Sequence, residues 1–172
     1  MPEPVTFTVR SAEPSDYAAL HQVYSWPKVI GGTLRLPFPA IEDYRKWLAE
    51  PVVAGEFNLV ACADSEFVGH LGLLTFPNKP RRRHAGQIGM AVRDDWQGKG
   101  AGSALIQAAV DLADKWLNLS RLELEVYTDN EPAVRLYKKF GFSVEGTLRR
   151  YALRDGRFVD AYMMARLRQE EP

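Results

Sequence analysis

The stretch Ile88-Gly-Met-Ala-Val-Arg-Asp-Asp-Trp-Gln-Gly-Lys-Gly-Ala-Gly-Ser103 carries an apolar strand pattern straight into a turn with glycine at 98, 100 and 102. Helical spacing follows over Gly100–Leu117, where Leu105, Ala109, Leu112 and Trp116 form one stripe, widened by Ile106, Ala113 and Leu117. Strict alternation then marks Arg121–Tyr127 as a strand, with Leu122, Leu124 and Val126 on one face and Glu123, Glu125 and Tyr127 on the other. With a strand over His84–Arg93, residues 84–127 make one strand–helix–strand crossover. The fold is therefore built around a sheet with helices packed on it.

The flanking sequence supplies the remaining elements. A strand is expected over Val5–Arg10, then a helix over Ser15–Tyr24 capped by Ser15 or Asp16, with Tyr17, Leu20, Val23 and Tyr24 at helical spacing. Trp26–Pro39 reads as irregular, and Ala40–Leu48 as a helix burying Ile41, Tyr44, Trp47 and Leu48. Strands Phe57–Ala63 and Phe67–Phe76 are joined by the short connection Asp64-Ser65-Glu66. A short helix over Glu131–Phe140 starts at Asp129 or Asn130 and stops at Gly141. Phe142–Leu153 and Arg157–Leu167 pair around Arg154-Asp155-Gly156, whose Asp-Gly marks a hairpin turn. The fold class is mixed α/β: a mostly antiparallel sheet of about six or seven strands flanked by about four helices. All 172 residues are assigned to a single domain, 1–172.

Composition removes several function classes. Lysine plus arginine equals aspartate plus glutamate at 22 each, so the excess of cations that nucleic-acid or anionic-membrane binding draws on is missing. One cysteine, Cys62, makes no intramolecular disulfide, and no zinc-ligand pair is spaced for a site, so no metal is expected. The opening MPEPVTFTVR lacks the basic and apolar regions of a secretory signal, and no apolar run is long enough to span a bilayer. These features point to a cytoplasmic protein.

The chemistry begins at the glycine-rich turn. Glycines there let the backbone approach a ligand closely, and the first N–H groups of the helix lack internal acceptors. Gln97, Gly98, Lys99, Gly100, Ala101, Gly102 and Ser103 thus outline an anion cradle for a phosphate or pyrophosphate, with Lys99 adding a cation at the rim. The spacing is neither that of a Walker loop nor of the dinucleotide fingerprint; the alternative is that the glycines only relieve packing. Downstream, helical spacing turns Ala133, Leu136, Tyr137 and Phe140 toward the sheet. Tyr137 is a candidate acid, because a phenol stays protonated at neutral pH; its alternative is a core tyrosine.

Gln97-x-x-Gly100-x-Gly102 resembles the Q/R-x-x-G-x-G/A signature of the GCN5-related N-acetyltransferase (GNAT) superfamily. Asn130-x-x-Ala133-x-x-x-Tyr137-x-x-x-Gly141-Phe142 is similar to that superfamily's downstream motif, and the element order fits from Val5 to Leu167. The resemblance implies acetyl transfer from acetyl-CoA to a primary amine by direct attack in a ternary complex. It assigns Met90, Ala91 and Val92 to the pantetheine arm through backbone groups, the 97–103 loop to the pyrophosphate, and Asn130 to the pantetheine. It makes Tyr137 the proton donor to the departing thiolate, and implies a homodimer.

The superfamily has no universal base. Glu125 stands where some N-terminal acetyltransferases of the superfamily carry a catalytic glutamate, and Glu123, on the same face, is a substrate-binding candidate; the alternative for both is an exposed residue paired with arginine. At the upstream position where relatives often carry an acid, this chain has Gln87. The acceptor is expected where Trp26–Leu48 folds over the cofactor, with Trp26, Phe38, Tyr44 and Trp47 forming an aromatic pocket and Arg35 clamping a carboxylate. Arg81-Arg82-Arg83 reads as a solvated loop or as an acid-binding patch, while His21 and His70 have no visible partner. The stretch Tyr151–Met163 resembles bacterial members acting on free L-amino acids, which makes a small L-amino acid the leading acceptor. A protein N-terminal amine, of the ribosomal-protein type, and a non-catalytic CoA sensor are the alternatives.

Overall fold

A computed structural model describes residues 5–169. The first four residues, used above to argue against a signal peptide, lie outside that range, as do 170–172. The described strands are β1 Phe7–Ser11, β2 Glu56–Ala63, β3 Glu66–Thr75, β4 Ala85–Val92, β5 Arg121–Tyr127, β6 Ser143–Arg154 and β7 Arg157–Leu167. They form one sheet in the order β1-β2-β3-β4-β5-β7-β6, antiparallel throughout except for the β4–β5 pair. The helices are α1 Tyr17–Val23, α2 Pro27–Gly32, α3 Ile41–Ala49, α4 Ala101–Lys115 and α5 Glu131–Lys139. No helix among the described residues is long and apolar enough to cross a membrane.

Five helices replace the expected four, because Trp26–Pro39 is not irregular throughout. Pro27 at the first helical position and Gly31-Gly32 at the end bracket α2, the usual placement of those residues at helix ends. Asp16 stands at the N-cap of α1, as expected, but its side chain makes no capping bond to that helix: it closes a 3-10 turn over Pro14–Asp16, its carboxylate accepting from the Glu13 N–H at 2.7 Å and from Arg10. The α4 stripe also ends sooner than its periodicity suggested. Trp116 leaves the helix at φ −124° and is 80% exposed. Both two-residue hairpin turns hold left-handed residues, Asp64-Ser65 at φ 46° and 73° and Asp155-Gly156 at 49° and 72°, which matches the twist of the strands they join.

The sheet divides the interior in two. On one face, α4 and α5 cover Leu71, Leu73, Ile88, Leu122, Leu124 and Val126, with Leu105, Ile106, Ala109 and Tyr137 packed against them. On the other, α1 and α3 bring Leu20, Val23, Tyr24 and Tyr44 onto Val60, Cys62 and Ala91. Cys62 is a buried free thiol there. One interruption positions the site. β4 and β5 pair only through Ala85–Gln87 and Arg121–Glu123, although β4 runs on to Val92 and β5 to Tyr127. Beyond Gln87 the two strands part, leaving that edge of β4 without a neighbouring strand.

Candidate active site

A cavity of about 740 Å3 runs through the gap between β4 and β5. Its walls come from both faces of the sheet: Ile88, Met90, Leu136 and Tyr137 from one, Asn58, Gly72, Gly89 and Glu125 from the other. The two sides of the sheet thus share one cavity where the strands diverge.

At one end the 97–103 loop turns its backbone inward. Gly98 and Gly100 sit at φ 75° and 106°, a region costly for residues with a Cβ, and Gly100 is the N-cap of α4. Ala104 is the first residue of α4 whose N–H is bonded back into the turn, to the Gly100 carbonyl at 3.0 Å, so the N–H groups before it are left for a ligand. The first turn carries no acidic side chain, so no group of that turn offsets the positive end of the helix dipole. Gly102 has a different reason: a Cβ there would lie 3.0 Å from Leu136, so it lets α4 start against α5. The packing reading therefore holds for Gly102 and not for Gly98, around which a Cβ would meet nothing. Gln97 braces the loop, its side-chain amide donating to the Val92 carbonyl at 3.1 Å. Met90, Ala91, Val92, Gln97, Gly98, Gly100, Gly102, Ser103 and Asn130 all line the cavity; Lys99 and Ala101 do not. Lys99 instead lies over the Trp96 ring, 4.8 Å from its centroid, and Ala101 is buried in the core.

Asn130 caps α5, its Oδ1 accepting from the Ala133 N–H at 3.3 Å. Two turns on from the cap, the buried Tyr137 ring packs against Phe142. Its hydroxyl has no hydrogen-bond partner among the described residues, yet it is not sealed from the cavity. Burial pushes the phenol up to about 12, so it holds its proton throughout the neutral range. Across the gap, Gln87 donates to Glu125 Oε2 at 2.8 Å and fixes that carboxylate at the cavity wall.

Other expectations are corrected. Glu123, expected to bind substrate, is outside the cavity and held between Arg82 and Arg121, which bonds it at 2.8 Å. Arg82, still partly exposed, is thus tied to Glu123 rather than free to bind an anion, while Arg81 and Arg83 are exposed. Arg35 also lies outside the lining; its guanidinium stacks over Tyr24 at 4.8 Å, with Tyr44 and Trp47 beside it. Tyr44 and Trp47 do join an aromatic cluster, but Phe38 is 98% exposed and contributes nothing to it. Both histidines have partners: His21 Nε2 bonds the Pro39 carbonyl at 2.8 Å, and His70 lies between Tyr24 and Asn58. Asn58, Gly72 and Gly89 line the cavity without having been singled out by any local sequence signal.

Residues 19–142 match the model of the acetyltransferase (GNAT) family. The chain belongs to the GNAT family of acetyltransferases. It is 42% identical over 160 residues to the L-amino acid N-acetyltransferase AaaT of Escherichia coli (strain K12), covering 93% of this chain and 97% of that protein. It is 30% identical to the spermidine N(1)-acetyltransferase of the same organism, covering 95% and 87% of the two chains. Among solved structures, spermidine N-acetyltransferase from Vibrio cholerae in complex with CoA and spermine superposes with a TM-score of 0.80 at 25% identity, covering 94% and 95%. The GNAT membership fixes the activity class: acetyl-CoA-dependent N-acetyl transfer. No group of three or more metal-ligating side chains occurs among the described residues.

Proposed function

We propose that this GNAT enzyme acetylates the α-amine of a free L-amino acid. The observation that carries this reading is the cavity through the β4–β5 gap, with unbonded N–H groups at one end and Tyr137 and Glu125 between its two halves. A diphosphate fits the loop: Gly98 and Gly100 hold the backbone open, and the first amides of α4 face it with no competing carboxylate. Gln97 and Lys99 brace and border that loop, Met90–Val92 offer an unpaired strand edge to the pantetheine arm, and Asn130 stands beside it. Acetyl-CoA supplies an electrophilic thioester carbonyl and a thiolate leaving group.

The protein's residues then have distinct tasks. Glu125 takes a proton from the ammonium, directly or through water, so that the nitrogen lone pair can form the new C–N bond as the C–S bond breaks. Tyr137 gives its proton to the leaving sulfur and regains one from the acylated nitrogen, so protons balance without a covalent enzyme intermediate. Backbone N–H groups on the open edge of β4 stabilise charge developing on the carbonyl oxygen. Holding both substrates in one channel supplies much of the remaining acceleration.

The acceptor class is supported by the 42% identity to an L-amino acid N-acetyltransferase across nearly its whole length. A cytoplasmic homodimer belongs to the same proposal, and sedimentation checks the assembly. The deciding experiment measures thiol release from acetyl-CoA with the twenty protein L-amino acids, spermidine and a peptide with a free alanine N-terminus. Free amino acids should give the highest kcat/KM. Preference for spermidine or the peptide overturns the acceptor; absence of any CoA binding by calorimetry overturns the loop's role.

A further inference from the structure

On the α1/α3 side of the sheet, directly opposed residues of β2, β3 and β4 form cross-strand rows. Val60, His70 and Ala91 make one row and Asn58, Gly72 and Gly89 the next. Helices α1 and α3 cover the first row, where Val60 and Ala91 are buried. The second row lines the cavity instead. Its glycines serve no conformational or packing need. Neither has positive φ; a Cβ at Gly89 would meet nothing, and one at Gly72 only ordinary contacts with Asn58 at 3.7 Å and His70 at 3.9 Å. What they provide is a bare backbone floor, as expected where a ligand lies against a sheet.

Asn58 closes one end of that floor, and its amide has a defined direction. The Tyr24 hydroxyl is 2.8 Å from His70 Nδ1, and His70 Nε2 is 3.0 Å from Asn58 Oδ1. Nδ1 accepts the phenol's proton, so Nε2 carries the ring hydrogen and donates it to Oδ1. The reverse order would leave the Tyr24 hydroxyl hydrogen without an acceptor, since His70 is its hydrogen-bond partner. Burial and the nearby Arg35 keep the imidazole neutral, as this order requires. The Asn58 Nδ2, with two N–H donors, has no protein acceptor among the described residues and is left to the cavity that the residue lines. The following row carries Glu56 and Gln87, with Glu125 bonded to Gln87. The trough is therefore polarised, donors at one end and carboxylates at the other, which is the polarity of an amino-acid zwitterion.

We infer that Asn58 binds the α-carboxylate of the amino-acid acceptor over the Gly72–Gly89 floor, with His70 and Tyr24 as positioning residues that fix its amide. This rests on the proposed acceptor class and names the group that reads it. The key variant is Asn58→Asp, which keeps the size and the bond from His70 but replaces two donors with a negative charge. It is assayed on the best of the twenty L-amino acids and on that acid's decarboxylated amine.

Expected is a fall in kcat/KM of about tenfold or more for the amino acid, and a much smaller change for the decarboxylated amine and in acetyl-CoA KM. An equal fall for both acceptors, or no fall for either, overturns the inference. His70→Leu should likewise raise the amino-acid KM, and His70→Gln, whose amide still donates to Oδ1, should restore it; equal effects of the two overturn the positioning role. A wild-type enzyme that acetylates no free amino acid instead defeats the proposed function itself, and the two failures are told apart by that control.

Discussion

On the α4/α5 face the groups offered to a ligand are mostly backbone: the amides at the start of α4 and the open edge of β4 beyond Gln87. On the α1/α3 face they are side chains in a hydrogen-bonded chain, Tyr24 to His70 to Asn58, roofed by an arginine stacked on aromatics. Backbone groups read what every acetyl transfer shares, a diphosphate and a pantetheine arm, and need only glycines and strand geometry. Side chains read what differs between family members, the acceptor. On the proposed reading, one face serves the common chemistry and the other the choice of substrate, and the β4–β5 gap joins them.

The sharpest way to break that division is Tyr137→Phe. The ring stays in its pocket against Phe142, so folding and cofactor affinity should hold, while the proposed proton donor is lost. kcat should fall by about a hundredfold or more, with CoA affinity by calorimetry unchanged. A parallel loss of both would return Tyr137 to the core as a packing residue and leave the α4/α5 face a binding surface only.

How legible each face is from sequence follows from the same physics. The glycines at 98, 100 and 102, and the Asn130–Tyr137 spacing on α5, are local patterns, and local patterns survive in one dimension. The crossover and the two hairpins were equally visible, since an Asp-Gly turn or an alternating strand declares itself within ten residues. His70 does not: its partners lie 46 and 12 residues away, and within β3 it reads as a polar interruption between Gly69 and Leu71. Glu123 shows the converse error. It shares a face with Glu125, but only the next residue pair along β5 reaches the gap, because β4–β5 pairing ends at Glu123 itself. The position of Arg35 is hidden for the same reason, its guanidinium lying over rings that are distant in the chain.

The α1/α3 face can be probed through acid. His70 is pushed down to about 4, chiefly by burial, against 6.5 when unfolded. Among the groups facing it, Tyr24, Trp47 and Asn58 are neutral and Arg35 is cationic, so none of them compensates a charged ring. A histidine with a depressed folded pKa costs stability as pH falls: between 6.5 and 4 the unfolded chain takes up a proton that the folded one refuses. The loss should approach about 3 kcal/mol near pH 4. Urea midpoints at pH 7 and pH 4.5 check it, with His70→Gln losing less over that interval than the parent. Equal losses would mean that the ring is solvated and the relay open to water.

The smallest effect tests where periodicity overreached. If Trp116 completed the buried stripe of Leu105, Ala109 and Leu112, truncating it to alanine would cost about 3–5 kcal/mol, as for an aromatic removed from a core. The helix ends at Lys115, however, and the indole is 80% exposed. Trp116→Ala should then change stability by less than about 0.5 kcal/mol and leave both substrate KM values alone, since the residue borders neither half of the cavity. A large loss of stability would mean that the indole is covered in solution, and because it is 80% exposed among the described residues, the cover would have to come from outside their core.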